Sequence, residues 1–345
     1  MLTATRWLWV ERTLPARLVR LLLLPPAWLY QLITAARARA YRTGFLPRAI
    51  PPVPTVAVGN LTVGGSGKTP IAAWIAGYYA DRGVRPGVVL RGYGGDEASV
   101  HRGLVADAVV VENPDRMTGA AEAVMQGARV VVLDDAFQRL DIARDLNIAV
   151  VSAESSRAVR WTLPAGPWRE GWSALRRADF VVITRKRADR AAARAVASRV
   201  SGTVPGVRLA LARLGIAGFR GLLSRKRVDP SEIEGARVVA AAGIGDPASF
   251  ASQCQRLGAE VRLVPWRDHH RFTEGDVTWL LQAARRVDYV VVTEKDAVKL
   301  RGRWPSGAPE PLVAELAVTW ERGRAALETA LDAITADTAE FLAPG

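Results

Sequence analysis

Sulfur-containing and metal-ligating residues are scarce in this sequence. It has one cysteine, three histidines and three methionines among 345 residues. A single cysteine, Cys254, excludes an intramolecular disulfide and fits a reducing compartment. The sequence lacks a Cys/His cluster with zinc-ligand spacing, a known DNA- or RNA-binding signature and an internal repeat. We therefore expect neither a zinc site nor a nucleic-acid partner.

Acidic residues are also under-represented, with 34 Asp and Glu against 47 Lys and Arg, which gives a net charge of +13. This balance suits an anionic partner such as a membrane or a phosphorylated substrate, although a generally arginine-rich proteome would produce the same value. The hydrophobic content of 49% is typical of a globular protein. The length allows two packed α/β units or one larger domain with insertions.

The N-terminal segment has no uninterrupted apolar run of about 20 residues, the length that a membrane-crossing helix needs. Its apolar run, residues 18–33, is shorter and contains Pro25 and Pro26. Four arginines follow: Arg37, Arg39, Arg42 and Arg48. The pattern predicts a helix seated at a membrane surface, with its arginines toward anionic headgroups. A buried core helix is the alternative.

Short runs rich in Val and Ile follow, and each precedes helix-like sequence. They are residues 55–58, 87–90, 108–111, 130–133, 148–151 and 180–183, with two more at 238–242 and 289–293. Continuous apolar runs predict strands buried on both faces, and hence mostly parallel sheets covered by helices. Residues 209–223 look like an extended connector, and the tail after Pro311 like one strand and one helix. The fold class is therefore α/β, with two α/β/α units.

A glycine-rich phosphate loop is the strongest motif. It follows the first predicted strand, precedes a helix and consists of Thr62, Val63, Gly64, Gly65, Ser66, Gly67, Lys68 and Thr69. Glycines let backbone N–H groups surround phosphate oxygens. In such loops the lysine adds positive charge at the β- and γ-phosphates and the threonine hydroxyl binds Mg²⁺. The motif predicts ATP binding in a P-loop domain.

Two carboxylates, Asp134 and Asp135, end another predicted strand, where they would reach the magnesium ion; helix capping is the alternative. Residues 91–97 follow a third strand at the same sheet edge, and an acid there is a candidate base for a sugar hydroxyl; a glycine turn with a solvated acid is the alternative. His269 and His270 form a second acid–base candidate beside Asp268; a pair of surface histidines is the alternative. Arginine side chains suited to binding phosphate occur at Arg116 and Arg169, the latter followed by Glu170.

Together these segments resemble the tetraacyldisaccharide 4′-kinases of lipid A synthesis. The matching motifs include GNLTVGGSGKTP, RGYG, GDE, NPDR, DDAFQ, LPAGPWRE, AAGIGDP, DHHRFT and TEKDAVKL. The resemblance implies transfer of the ATP γ-phosphate to the 4′-hydroxyl of tetraacyldisaccharide 1-phosphate, which forms lipid IVA. It implies ATP and Mg²⁺ as cofactors, a membrane surface and the lipid-linked disaccharide as partners, no obligate protein partner, and a location on the cytoplasmic face of the bacterial inner membrane.

The same resemblance implies individual roles. Lys68, Ser66 and Thr69 serve ATP and Mg²⁺, and Asp134 and Asp135 are the metal-side acids. Asp96 is the general base, paired with His269, and the substrate side is assigned to Arg116, Gln138, Arg169 and Glu170. The predicted domains are an N-terminal membrane-associated helix (1–50), a P-loop catalytic domain (51–210, with the tail 311–345) and a smaller α/β domain (211–310).

Two alternatives remain open from the residues. One is a membrane-associated P-loop ATPase or switch that hydrolyses ATP without a sugar acceptor. The other is a degenerate, non-catalytic relative that only binds ATP or lipid.

Overall fold

A computed structural model describes residues 7–9, 11, 13–92, 96–154, 160–268 and 270–341. Its helices are α1 (Leu14–Leu22), α2 (Leu24–Arg42), α3 (Lys68–Ala80), α4 (Asp96–Leu104), α5 (Arg116–Met125), α6 (Arg190–Thr203), α7 (Pro247–Arg256), α8 (Glu274–Ala284), α9 (Glu294–Leu300) and α10 (Arg324–Phe341). Its strands are β1 (Thr55–Asn60), β2 (Pro86–Leu90), β3 (Val109–Glu112), β4 (Val130–Asp134), β5 (Leu146–Ser152), β6 (Phe180–Arg185), β7 (Arg208–Gly221), β8 (Arg227–Val228), β9 (Arg237–Ala242), β10 (Glu260–Pro265), β11 (Tyr289–Thr293) and β12 (Leu312–Arg322).

The described chain forms two units. Unit 1 takes in the described residues up to Gly92, residues 104–213 and those from Trp320 onward, and unit 2 takes in the described parts of 93–103 and 214–319. The chain changes unit within β7 and again within β12. The predicted domain boundaries at residues 50, 210 and 310 remain predictions.

Unit 1 is built on a parallel sheet in the order β7-β6-β5-β1-β4-β2-β3. Strands β1, β2, β4 and β5 are buried along their whole length, which explains their continuous Val/Ile composition, since helices cover both faces of such a sheet. All carboxyl ends of parallel strands meet at one edge, so β1, β4, β5 and β6 deliver their following residues to the same place.

Unit 2 contains a smaller parallel sheet in the order β10-β9-β11-β12, and β8 pairs antiparallel with the end of β7. Two apolar clusters pack on this sheet, one around Phe219 and Phe250 and the other around Phe272 and Leu300. The predicted fold class, α/β with mostly parallel sheets, is thus confirmed.

The N-terminal segment differs from the expected single helix. Helices α1 and α2 meet at Leu23 and are bent by 49° relative to each other. Pro25 and Pro26 lie in the first turn of α2, where a proline's missing N–H costs little, so the prolines begin a second helix instead of interrupting one. Within the described residues no helix alone is long and apolar enough to cross a membrane, whereas α1 and α2 taken together have that length and composition.

The segment expected to be a connector forms the longest strand, β7, with 14 residues. The predicted strand and helix of the tail are confirmed as β12 and α10. Helix α10 packs within unit 1, where the Tyr78 hydroxyl donates to Asp332 (2.7 Å) and the buried Tyr79 hydroxyl donates to the Leu331 carbonyl (2.9 Å).

Candidate active site

The glycine-rich loop connects β1 to α3 in unit 1. Gly64 and Gly67 have φ angles of 115° and 92°, a left-handed conformation that side chains disfavour, so glycine is required there. Gly67 is the N-cap of α3, and Lys68 is the first residue of that helix. The loop therefore presents a helix N-terminus, which attracts anions through its N–H groups and dipole.

The two predicted metal acids lie at the end of β4, next to β1 in the sheet. Asp134 is buried, and one of its oxygens accepts the N–H of Asp135 (2.8 Å). Asp135 has a φ of 53°, which is rare for a residue with a side chain. Such a backbone conformation costs about 1–3 kcal/mol and occurs preferentially at functional sites.

Asp135 is the centre of a cation cluster. Its Oδ1 lies 3.4 Å from Lys68 Nζ and 3.1 Å from Arg169 Nη1. The structure thus brings together the phosphate-loop lysine, one metal-side acid and one predicted substrate residue. One carboxylate thus forms ion pairs with two cations beside the loop.

Gln138 and Glu170 continue this network. Gln138 Nε2 donates to the Asn60 carbonyl (2.8 Å) and to Glu170 (3.1 Å), while its Oε1 accepts from Arg169 (3.3 Å). Glu170 is buried and also accepts from Arg177 (2.5 Å), whose guanidinium lies over the Phe137 ring. The amide orientation of Gln138 is consistent with both of its neighbours, because its nitrogen faces a carboxylate and its oxygen faces a guanidinium.

Arg116 has a different environment from that expected of a phosphate ligand. It is almost fully buried and donates to the backbone carbonyls of Asn113 (2.7 Å) and Asp134 (3.2 Å). Burial and the nearby Arg139 lower its pKa to about 10. These bonds fix the end of β4 and indicate a structural role, while the predicted substrate role remains a prediction.

The predicted base, Asp96, lies in unit 2. Asp96 begins α4, but its side chain is outside the described residues, as is the whole of His269. His270 is described, and its Nε2 lies 2.9 Å from Asp276 Oδ2, with its ring stacked on Trp266. Asp276 also accepts from Thr273 and Trp266. His270 is therefore held by the start of α8, and the catalytic role of His269 stays a prediction.

Several residues at the site were missed by the sequence reasoning. Asn60 donates to the Ser66 hydroxyl (2.8 Å), the Thr184 hydroxyl donates to the Ser66 carbonyl (2.7 Å), and Lys186 donates to the Gly65 carbonyl (2.8 Å). The position of Asn60 directly before the loop, and of Thr184 at the end of a parallel strand, was a usable signal because such ends share one edge. Arg177 gave no such signal.

Comparison with known proteins places this chain in a family. Residues 19–336 match the family described as tetraacyldisaccharide-1-P 4′-kinase. The tetraacyldisaccharide 4′-kinase of Aromatoleum aromaticum is 37% identical over 312 residues, which cover 84% of this chain and 87% of that protein. The enzyme of the same name from Chlorobium luteolum is 35% identical over 318 residues, covering 83% and 88% respectively.

A solved structure agrees with these relatives. The apo form of LpxK from Aquifex aeolicus, crystallised in complex with ATP, has a TM-score of 0.71 and 27% sequence identity to this chain, covering 92% of this chain and 99% of its own. The predicted resemblance is thereby confirmed, and this chain belongs to the tetraacyldisaccharide-1-phosphate 4′-kinase family.

Proposed function

We propose that this chain transfers the γ-phosphate of ATP to the 4′-hydroxyl of a tetraacyldisaccharide 1-phosphate at the cytoplasmic face of the inner membrane, with the network around Asp135 as its phosphoryl-transfer site. The predicted kinase activity, the lipid disaccharide substrate and ATP as cofactor follow from the family and are confirmed. The individual residue roles and the membrane face are our proposals.

The observation that carries the proposed site is the cluster of Lys68, Asp135, Arg169 and Gln138 within hydrogen-bonding or ion-pair range, directly beside the phosphate loop. Phosphoryl transfer needs positioning and charge neutralisation more than covalent chemistry. Lys68 and the N–H groups of the loop would hold the β- and γ-phosphates. The Arg169 guanidinium contacts Asp135 and Gln138 in the structure. During the reaction it would leave Asp135 and bind the transferred group or the acceptor.

The residues present also fit a magnesium ion. Thr69 supplies a hydroxyl, and Asp134 and Asp135 supply carboxylates, all hard oxygen ligands of the type that Mg²⁺ selects. The strained backbone of Asp135 supports a ligand role, because strain of this kind persists where function requires it. When bound with ATP, the ion neutralises charge on the β- and γ-phosphates.

The acceptor hydroxyl needs a base, and we assign this role to Asp96 with His269. The assignment rests on the family resemblance and on the engagement of His270 with Asp276, which ties the second histidine of the pair to α8. In this scheme Asp96 accepts the proton of the 4′-hydroxyl and His269 supports the charge on Asp96.

A membrane surface is the proposed location because α1 and α2 expose apolar side chains that a water-soluble surface does not need. They are Leu14, Leu18, Leu21, Leu22, Trp28, Leu29, Leu32 and Ile33. Contiguous exposed apolar surface of this kind marks an interaction site. Helix α2 adjoins the site: the Thr162 hydroxyl donates to the Ala27 carbonyl (3.1 Å), and burial together with Glu170 raises the pKa of Tyr30.

Transfer from γ-labelled ATP to tetraacyldisaccharide 1-phosphate in mixed micelles tests the function. We expect acceptor-dependent labelling of the distal sugar, and a loss of at least about 100-fold in Lys68→Met. Lys226→Met is the matched control, since Lys226 is exposed in unit 2. Hydrolysis independent of acceptor would favour the ATPase alternative, and ATP binding without consumption would favour the degenerate relative.

Vesicle sedimentation tests the membrane surface. Leu29→Asp should reduce the bound fraction on anionic vesicles, whereas Met125→Asp, a matched change of an exposed apolar residue on α5, should leave it unchanged. Equal binding of both variants and the parent chain would contradict a docking role for α2.

A further inference from the structure

A short segment at the end of β6 contacts the backbone of the phosphate loop. It contains Thr184 and Lys186, and both side chains donate to backbone carbonyls of the loop. We propose that Thr184 and Lys186, held in place by Glu154, brace the phosphate loop in its anion-binding conformation and that Lys186 is a positioning residue for the triphosphate. This inference rests on the proposed role of the loop as the ATP site.

The first contact fixes the direction of one peptide group. The buried Thr184 hydroxyl donates to the Ser66 carbonyl (2.7 Å). In a planar trans peptide the carbonyl and the following N–H point in opposite directions. Holding the Ser66 carbonyl toward Thr184 therefore turns the Gly67 N–H away from β6. That N–H belongs to the N-cap of α3, where backbone N–H groups receive phosphate oxygens.

The second contact acts on the preceding peptide. Lys186 Nζ donates to the Gly65 carbonyl at 2.8 Å, a charge-assisted hydrogen bond. A Cβ added at Gly65 would lie 3.5 Å from the same nitrogen, so the lysine head lies directly alongside the loop backbone. It holds the carbonyl oxygen of Gly65 toward the lysine head, and this orientation would keep that oxygen from phosphate oxygens of the same charge sign. The ammonium also adds positive potential to the site.

A lysine side chain loses conformational freedom when it is ordered. The contact with the loop therefore requires a fixed backbone at Lys186, and Glu154 holds that backbone in place. One carboxylate oxygen accepts the N–H groups of Lys186 (2.6 Å), Arg187 (2.8 Å) and Ala188 (3.0 Å). The other oxygen accepts from the Ser152 hydroxyl (2.6 Å).

Because Ser152 ends β5 and Lys186 directly follows β6, Glu154 ties the turn after one strand to the end of its neighbour. The chain from Glu154 through Lys186 to Gly65 thus joins three strand ends at the same sheet edge. These groups support the phosphate loop through its backbone and make no predicted contact with the reacting atoms, which makes them positioning residues and not catalytic ones.

The decisive variant is Lys186→Met, which keeps the aliphatic part of the side chain and removes the hydrogen-bond donor. Arg194→Met is the control, because it also removes one positive charge, from an exposed position near the start of α6. A hydrogen bond to a charged group contributes about 1.5 kcal/mol or more, so Lys186→Met should raise the KM for Mg·ATP by about tenfold. We expect kcat within about twofold of the parent, because the contact is equally present in ground and transition states. Lys186→Arg should restore most of the loss.

The readout that separates a phosphate brace from a nucleoside contact is inorganic tripolyphosphate, measured as a competitor of a fluorescent ATP analogue without lipid. If Lys186 braces the loop, Lys186→Met should lower the affinities for tripolyphosphate and ATP by the same factor and leave the melting temperature unchanged. Glu154→Gln should also lower the affinities for both ligands. Unchanged affinities in Lys186→Met would overturn the brace. Weakened ATP with unchanged tripolyphosphate would also overturn it, since Lys186 would then contact the nucleoside.

The proposed kinase function and the proposed role of Lys186 can be refuted independently of each other. Binding is measured without acceptor, so a parent chain that binds Mg·ATP but transfers no phosphate refutes the proposed function and leaves the binding comparison valid. Conversely, a parent chain with full acceptor-dependent transfer and an unaffected Lys186→Met variant refutes only the brace.

Discussion

Replacing Asp135 by asparagine separates two effects of its carboxylate that have opposite signs. In the structure this carboxylate pairs with Lys68 and Arg169, so it would compete with a bare triphosphate for these two cations. With magnesium, the same carboxylate is the proposed ligand. Asparagine tolerates the left-handed backbone found at Asp135 (φ 53°) and has nearly the same shape, so the fold should be retained.

The size of the first effect follows from the geometry. Two unit charges 3.4 Å apart, the Lys68–Asp135 separation, interact by roughly 1 to 5 kcal/mol as the effective dielectric constant falls from about 80 to 20. Asp135 is 36% exposed, and exposed pairs contribute only about 1 kcal/mol or less after screening. Asp135→Asn should therefore bind magnesium-free ATP about fivefold more tightly, while its magnesium-dependent transfer falls by at least about 100-fold.

The assay is a titration of a fluorescent ATP analogue in excess chelator and again in excess Mg²⁺, combined with transfer to the lipid acceptor. Asp141→Asn is a well-matched control, because Asp141 is 35% exposed and pairs with Arg139 instead of Lys68. Magnesium-free affinity that is equal or weaker in Asp135→Asn would refute the competition argument. Transfer at the parent rate would refute the metal role.

Three further changes test the packing that supports the site. Tyr79→Phe should lower the free energy of unfolding in urea by about 1 kcal/mol, because a buried hydroxyl loses its bond to a carbonyl of α10. Gly59→Ala should cost about 1–3 kcal/mol in the same measurement, since the new Cβ would lie 2.5 Å from the Phe137 nitrogen. The side chain of Glu321 is 13% exposed, and hydrogen bonds from Arg185 lower its pKa to about 2 from its ordinary value of 4.5. The stability that the ionised Glu321 gives to the fold is therefore complete above pH 4.5 and is lost as the pH falls through about 2. Glu321→Gln should lower the free energy of unfolding by about 2 kcal/mol at pH 7 and should reduce the loss of stability in acid. An unchanged loss of stability in acid would show that other carboxylates cause it.

The sheet of unit 1 could be predicted because β1, β2, β4 and β5 are buried along their whole length, and such strands appear in the sequence as short continuous apolar runs. The edge strand β10 was missed for the opposite reason: its residues are half-buried or exposed, and Glu260 and Arg262 alternate with apolar neighbours. Strand β7 resembles a connector in the sequence because two glycines, Gly215 and Gly218, interrupt its apolar pattern.

At the site, the acids and the phosphate loop that directly follow buried strands were predicted from the sequence, whereas the side chains that contact the loop from another strand end, such as Thr184 and Lys186, were missed. Asp135 and the phosphate loop stand directly after buried strands, so their meeting at one edge was predictable. The pairing of Asp135 with Lys68 was not, because it depends on the left-handed backbone at Asp135, which no spacing reveals. Likewise, the bond from Lys186 to the loop joins residues 121 positions apart and depends on the order of strands in the sheet.

One short stretch, residues 162–169, links the three parts of the proposed reaction. Thr162 donates to a carbonyl of α2, the helix that carries the exposed apolar side chains. The Arg169 N–H donates to the Leu61 carbonyl at the start of the phosphate loop (2.8 Å), and the Arg169 side chain reaches Asp135. Since a single short stretch contacts the proposed membrane helix, the phosphate loop and the metal-side acid, a shift of α2 on lipid would be transmitted to Arg169. If α2 lies on the bilayer and the loop holds the triphosphate, as proposed, these few contacts would position the membrane-bound and the soluble substrate relative to each other, which is what in-line transfer requires.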